Sequence, residues 1–232
     1  KHVWGIEIVV DAVEDAALLL RSLGHEVVEL DLPLDSEELA LAYLTQVAAS
    51  VAIEVRDTEA KTGVAPRADM FELPTWFLKQ VGDELSAAQL QSARDTFQRL
   101  GRNVAAFYEG HNIDLHLSAT MAFPPVRVGE LSLNVLQRGA LSALRRASTG
   151  RVLRSVLEQM SADSLAKTPN TQVFNMTGQP AMNVPLWWND EGLPIGVQLA
   201  GRFGDEKRMF RLATQLELAR PWAQQMPPLA LA

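Results

Sequence analysis

Apolar residues recur at helical spacing near the start of the chain. Between residues 9 and 23 they occupy positions 9, 13, 16, 17, 20 and 23, and Gly24 follows. Three or four residues between apolar positions place them on one side of a helix, and glycine commonly ends helices. The pattern therefore predicts an amphipathic helix that ends at Gly24.

The same spacing predicts three more helices before residue 110. Residues 34–63 begin with Asp35 or Ser36 as a predicted cap and carry apolar residues at 39, 40, 43, 44, 47, 48 and 51. Residues 73–85 and 86–110 continue the pattern, and Ser86 is a plausible cap for the second of them.

Two β-rich segments flank the first helix. The segment VWGIEIVV (3–10) is rich in Val and Ile and predicts a strand, and HEVVELDLP (25–33) predicts another. Because the first strand continues into the helix without turn residues, we expect a loop to be missing near residues 8–10. The order strand, helix, strand indicates an α/β arrangement.

The second half of the chain alternates between predicted helices and strands. Residues 112–120 alternate as a strand, and residues 131–165 are mostly helical in pattern. A short helical turn and a strand from Ala181 come next. The predicted elements that close the chain are a turn (189–192), a partner strand (193–201) and a last helix (204–222).

Composition limits the class of protein and its partners. The chain has 232 residues, 47% of them hydrophobic, and a net charge of −7. An acidic chain lacks the basic face that nucleic acids and anionic membranes require, so neither is expected as a partner. No apolar run is long enough to span a bilayer. The chain contains no cysteine, which suits a reducing compartment and suggests the cytoplasm.

Short motifs offer an alternative serine chemistry. SLAK (164–167) has the Ser-x-x-Lys spacing of penicillin-binding enzymes, and SLN (132–134) and KTG (61–63) also occur. Those enzymes carry the three motifs in the opposite order along the chain. We therefore interpret the matches as chance.

Neither a phosphate site nor a metal site is predicted. GRFGDE (201–206) places two glycines before a helix, but Asp205 and Glu206 would repel an anion there. His111 and His116 are five residues apart and have no carboxylate at metal-ligand spacing. We interpret these residues as structural.

One stretch of about fifty residues resembles a known family. The segments FNMTGQPAMNVP (174–185) and GLPIGVQLAGRFGDE (192–206) resemble, in order and spacing, the C-terminal end of the amidase-signature family. IDLHLSAT (113–120) is similar to its D-L-L-L-x-P-T strand, with Ala119 where proline is common. The helices at 34–110 look most like the branch that includes 6-aminohexanoate cyclic-dimer hydrolases.

The resemblance implies a fold and a reaction. The expected fold is α/β, with a mixed central sheet covered by helices. The family hydrolyses amides with a serine nucleophile, a second serine on a cis peptide and a lysine, and it needs no metal or organic cofactor. The nucleophile lies in a G-G-S-S-G-G stretch, and this chain has no two adjacent glycines. We therefore expect residues 1–232 to be the C-terminal portion of one amidase domain, without catalytic residues of its own.

The resemblance also suggests substrate-facing residues. It places the segment before Asn175 along the acyl-side wall of the pocket, so Gln172 and Asn175 are the first candidates. Thr120 and Met121, just past a strand end, are the next. The expected partner is a small amide, and the sequence leaves open whether the protein forms a homodimer.

Two other functions remain open at the level of sequence. One is an amidotransferase subunit that releases ammonia for a tRNA-linked substrate. The other is a homologue that binds but does not catalyse.

Overall fold

The computed structural model describes residues 6–129, 132, 134–144 and 169–225. Its helices are α1 (Ile6–Ser22), α2 (Ser36–Thr62), α3 (Leu73–Asp83), α4 (Ala87–Gly110), α5 (Val135–Leu144), α6 (Pro169–Thr177) and α7 (Glu206–Ala219), with a 3₁₀ turn at Ala68–Met70. Its strands are β1 (Leu115–Ala119), β2 (Ala181–Trp188) and β3 (Pro194–Gly201).

The chain divides into two compact units. The first comprises Lys1–Pro33, Gly101–Pro125 and Ala166–Ala232, and it contains every strand of the described residues. The second comprises Leu34–Leu100 and Val126–Leu165, and its described part is helical. That both units belong to one amidase domain stays a prediction.

The first unit is built on a three-stranded antiparallel sheet. The strand order is β1-β3-β2, so β3 pairs on both sides. One face of the sheet packs against α1 and α7 through residues that are at most 9% exposed: Ala16, Leu20, Val184, Leu186, Val197, Leu199, Leu212 and Leu216. The predicted α/β class, with helices packed on a sheet, is confirmed.

The second unit depends on a close contact between α2 and α3. Its core contains Leu44, Ala48, Phe77 and Val81. Gly82 of α3 lies so near α2 that a methyl group there would stand 2.7 Å from the Cβ atom of Ala52. Only glycine permits this approach of the two helix backbones.

The predicted helix ends have the expected chemistry. Asp35 caps α2 by accepting hydrogen bonds from the backbone N–H groups of Glu37 and Glu38, at 3.1 and 3.0 Å. The Ser86 hydroxyl accepts from the Gln89 N–H at 3.2 Å, while the Gln89 side chain accepts from the Ser86 N–H at 2.9 Å. This reciprocal pair is a capping box, and it confirms Ser86 as the cap of α4.

The strand expected at 3–10 is wrong for residues 6–10, which belong to α1. Buried positions follow helical spacing from the first turn: Val9 is 5% exposed, Ala12 and Ala16 are 0%, and Leu20 is 6%. Packing of this stripe outweighs the β preference of the Ile and Val residues. The helix passes through residues 8–10 without a break, so the structure has no gap there. Residues 3–5 lie outside the described part.

The strand expected at 25–33 is also wrong. These residues carry no strand pairing within the described part of the chain. Val28 is 57% exposed and Leu30 is 40% exposed. A strand requires a hydrogen-bonded neighbour, and the sequence pattern alone does not supply one.

Of the helical pattern at 131–165, α5 covers Val135–Leu144. The remainder, including the SLAK tetrapeptide at 164–167, lies outside the described residues.

Candidate functional site

A row of polar side chains crosses the sheet on the face opposite the core. In the strand register Ser118 pairs with Gln198, and Gln198 pairs with Asn183. Directly opposed residues of antiparallel strands project to the same face. The next row, Leu117 and Leu199, projects to the other face, into the apolar core.

Gln198 connects this row to helix α6. Its side chain is only 4% exposed, and its Nε2 group donates to the Ser118 hydroxyl at 3.3 Å and to the Asn170 carbonyl at 3.2 Å. The Asn170 side-chain amide in turn donates to the carbonyl of Ala119 at 2.8 Å. These hydrogen bonds fix the start of α6 over the end of β1.

Thr120 and Asn183 form the exposed end of the row. The Thr120 hydroxyl donates to the Asn183 Oδ1 atom at 2.5 Å, and its N–H donates to the Gly196 carbonyl at 3.2 Å. Gly196 leaves room for the Asn183 side chain, because a methyl group at residue 196 would stand 2.8 Å from Asn183 Cγ. With its oxygen engaged, Asn183 presents its NH₂ group to solvent, where it can donate to a carbonyl ligand.

The four residues predicted from the sequence differ in their position and in their exposure to solvent. It brings Thr120 into contact with Asn183. Gln172 and Asn175 both lie on α6, but Gln172 is buried at 8% exposure and Asn175 is exposed. Met121 follows Thr120 and is 39% exposed. That these four residues face a substrate stays a prediction.

Sequence reasoning missed Asn183, Gln198, Ser118 and Asn170. A signal existed, since Gln198 is a polar residue inside the apolar run PIGVQLAG and Asn183 is one inside AMNVPLWW. A buried polar side chain in an apolar strand requires hydrogen-bond partners, which indicates a local network. The register that aligns the two residues could not be read from the sequence.

His116 lies beside this row as a half-buried, neutral group. Its ring stacks with Tyr108 at 6.3 Å between centroids and packs against Phe174 at 5.8 Å. Burial lowers the pKa of His116 to about 4, and it raises the pKa of the Tyr108 hydroxyl well above its usual range. The imidazole is therefore uncharged at neutral pH and contributes to packing.

The other motifs have structural positions where they are described. Lys61 and Thr62 end α2, and Gly63 is its C-cap with φ of 70°. Gly201 ends β3 and Asp205 immediately precedes α7. No cluster of three potential metal ligands occurs among the described residues.

Among the described residues, one helix is long and apolar enough to cross a membrane by length and composition. It is α2, over Glu37–Thr62. Half of its most apolar window is buried inside the protein. Core helices of proteins in water satisfy the same criterion, so this helix is weak evidence for a membrane.

Comparison with known proteins identifies a family to which this chain is similar. A family model described as Amidase matches residues 7–210. AmiB2 of Mycobacterium tuberculosis, a protein that carries the name of an amidase, is 30% identical over 216 residues. The 6-aminohexanoate-cyclic-dimer hydrolase of a Pseudomonas species is 26% identical over 219 residues.

The similarity extends to solved structures and covers part of each relative. A 6-aminohexanoate cyclic-dimer hydrolase, solved with its substrate, matches 95% of this chain with a TM-score of 0.75 and 25% identity. The alignments with the two sequence relatives include 93% and 94% of this chain. They cover only 40% and 41% of the length of the relatives. The chain spans 43% of the solved structure.

Proposed function

We propose, because this chain belongs to the amidase family, that it contributes part of the substrate pocket of an enzyme that hydrolyses carboxamides. The family match from residue 7 to residue 210 is the observation that carries the proposal. The relatives that bear the name amidase or hydrolase support it.

The proposed reaction is acyl transfer through serine. The serine oxygen attacks the amide carbonyl, the C–N bond breaks, the amine leaves with a proton, and water then releases the carboxylic acid. A second serine, on a cis peptide, and a lysine would carry the proton. Among the described residues no peptide bond is cis, and no hydrogen bond joins a serine to a lysine. Because the family's nucleophile lies in a G-G-S-S-G-G stretch and this chain has no two adjacent glycines, we propose that all three catalytic groups lie outside this chain.

The contribution of this chain to the pocket would be the exposed end of the polar row. The Asn183 NH₂ group can donate to a substrate carbonyl while Thr120 holds the amide oxygen in place. Asn175 of α6 and Met121, which follows Thr120, are both exposed and are the further candidates for the wall. Gln172 of α6 is buried, and it would support that wall from the side away from solvent.

The substrate that we propose is a linear or cyclic ω-amino-acid amide. The solved relative with a TM-score of 0.75 is named for a cyclic amide and was solved with its substrate. An open-chain amide and a cyclic dimer of 6-aminohexanoate are therefore the two compounds to compare first. We also propose a cytoplasmic location, in keeping with a chain that has no cysteine.

The test compares the full product of the gene that encodes this chain with residues 1–232 alone. We expect the full gene product to hydrolyse an amide and to react with a serine-directed phosphonate. We expect residues 1–232 to do neither. Amide turnover together with phosphonate labelling by residues 1–232 would overturn the placement of the nucleophile. An unreactive full gene product would favour the binding homologue.

A substitution tests the role of Asn183. In the full gene product, Asn183→Ala should raise KM by about 2–10-fold with little change in kcat, the loss expected for one neutral hydrogen bond. Gln91→Ala is the matched control, because Gln91 is an exposed amide whose side chain donates to Asp95 at 2.8 Å. Equal KM values for the two variants would exclude Asn183 from the pocket.

A further inference from the structure

Gln198 occupies the centre of the polar row without reaching solvent. It lies on β3, the middle strand of the described sheet, directly between Ser118 of β1 and Asn183 of β2. Gln198 is only 4% exposed, whereas Asn183 is exposed. A ligand that contacts Asn183 therefore meets no atom of Gln198, and any effect of Gln198 on that ligand passes through other residues.

The Gln198 amide holds the start of α6 against β1. Its neighbours along β3, Val197 and Leu199, are 0% and 1% exposed, so Gln198 is a polar group in an apolar strand. A buried amide requires hydrogen-bond partners, and its Nε2 group donates to the Ser118 hydroxyl at 3.3 Å and to the Asn170 carbonyl at 3.2 Å. Because Asn170 belongs to the first turn of α6, one amide joins β3, β1 and α6.

The next contact leads from α6 to the exposed end of the row. The Asn170 side chain donates to the Ala119 carbonyl at 2.8 Å. The N–H of the same peptide group, which belongs to Thr120, donates to the Gly196 carbonyl at 3.2 Å. Both polar atoms of this planar group are thus engaged, which fixes the backbone of Thr120. From there the Thr120 hydroxyl donates to the Asn183 Oδ1 atom at 2.5 Å.

We propose that Gln198 is a positioning residue of the pocket. By holding Asn170 over the peptide group between Ala119 and Thr120, it keeps the Asn183 NH₂ group directed at the substrate. This inference rests on the proposed function, because the contact that it serves is the one proposed there for Asn183.

Rotation of the Asn183 amide explains why such support matters. The last bond of an asparagine side chain has a broad torsional preference, so the amide can present either its oxygen or its NH₂ group. The Thr120 hydroxyl selects one orientation by engaging the oxygen. A displaced Thr120 would leave the amide to be ordered by the substrate, and that cost lowers affinity.

Gln179 provides a matched control at the other end of α6. It lies two residues beyond Thr177, the last residue of the helix, and it is also 4% exposed. Its Nε2 group likewise donates to a backbone carbonyl, that of Gly101 at 3.3 Å. This bond joins α4 and not β1. Loss of the Gln179 amide thus removes the same kind of contact without affecting the one at Ala119.

Kinetics of double variants in the full gene product test the proposal. Gln198→Met keeps the length of the side chain and removes its donor, and it should raise KM by about 2–10-fold with little change in kcat. In the Asn183→Ala background, Q198M should change KM by less than about 2-fold, because the contact that Gln198 serves is already gone. Any KM change caused by Gln179→Met should recur unchanged in that background.

A second variant and a measurement without substrate support the kinetics. Asn170→Ala removes the bond to Ala119 while the buried Gln198 stays in place, so it decides the question if Q198M does not fold. It should raise KM with the same dependence on Asn183. In full gene product labelled with ¹⁵N asparagine, the Asn183 side-chain signal, identified by its loss in N183A, should shift in Q198M and in N170A but not in Q179M.

The outcomes separate this inference from the proposed function. A KM increase in N183A with none in Q198M and N170A would overturn the positioning role alone. An equal KM effect of Q198M with and without Asn183, or an unshifted Asn183 signal in Q198M and N170A, would assign Gln198 a purely structural role. An unchanged KM in N183A would refute the substrate contact of Asn183, and the positioning role with it.

Discussion

At Gly82, the absence of a side chain determines how closely α3 approaches α2. A methyl group there would stand 2.7 Å from the Cβ atom of Ala52, and the nearby Ala48 carbonyl would also have to move. We expect Gly82→Ala to lower the free energy of unfolding by about 1–3 kcal/mol, the usual cost of overpacking. Urea denaturation of the full gene product measures it.

Gly110→Ala is the matched control for Gly82→Ala. Gly110 also lies in a helix, and a methyl group there would meet nothing within 4 Å. This variant should be neutral or slightly more stable, because alanine favours helices over glycine. Equal losses of stability for the two variants would show that the α2–α3 contact does not determine the effect.

The half-buried ring of His116 makes stability depend on pH. Burial lowers the pKa of His116 to about 4, whereas in the unfolded chain it is about 6.5. The unfolded state therefore binds the proton first as the pH falls from 6.5 to 4. The contribution of His116 to stability is present above this window and is lost through it, by up to about 3 kcal/mol.

Two histidine variants test this dependence. His116→Phe should flatten the fall in the free energy of unfolding between pH 6.5 and 4, because phenylalanine keeps the packing between Tyr108 and Phe174 and does not titrate. His111→Gln is the matched control, because it removes an exposed imidazole and leaves His116 in place. The idea fails if H116F and the parent have the same pH profile.

At the scale of elements, Arg220 connects three of them. Its guanidinium pairs with Asp15 of α1 through two nitrogens and donates to the Leu186 carbonyl of β2 at 3.1 Å, just after the end of α7. Both charged side chains are about one-third exposed, at 34% and 29%. Arg220→Ala should lower the free energy of unfolding by about 1–2 kcal/mol in urea.

Controls separate geometry from charge at this site. Arg220→Lys should recover only part of the loss, because lysine cannot make the planar two-nitrogen contact. Arg67→Ala removes an exposed ion pair with Asp69, whose members are 64% and 63% exposed, and should have no measurable effect. An equal effect of R67A and R220A would exclude the bridging role.

The sequence predicted the elements whose signals are local. β2 and β3 were found from apolar runs around the polar turn at 189–192, and α4 from its Ser86 cap. The two wrong strands, at 3–10 and 25–33, depended on β-branched residues. Residues 6–10 are helical because their buried positions follow helical spacing. Residues 25–33 form no strand because a strand needs a hydrogen-bonded neighbour, which local sequence does not encode.

The candidate site was predicted in part for a similar reason. Thr120 was found because it follows a strand end, where sites often lie. Asn183 was missed, because its contact with Thr120 crosses from β2 to β1 over the intervening strand and depends on register. Gly196 makes that contact possible, and a glycine in a strand does not reveal which side chain covers it.

At the scale of the whole molecule, β1 is an edge strand of the described sheet, and apolar residues are exposed in the segment after α1. Val28 and Leu30 of that segment are 57% and 40% exposed. We expect residues 1–232 alone to bind a hydrophobic dye and to aggregate with rising concentration, and the full gene product to do neither. Dye fluorescence and light scattering measure this. A soluble monomer with a sharp cooperative melt would contradict it.

The fit of Asn183 over Gly196 has a consequence for how this protein can change over time. Any side chain at residue 196 would displace the Asn183 amide, and Thr120 would then lose its acceptor. The two positions should therefore be inherited as a pair, because a larger residue at 196 turns the Asn183 side chain away from Thr120. Directed-evolution libraries should accordingly randomise both codons together.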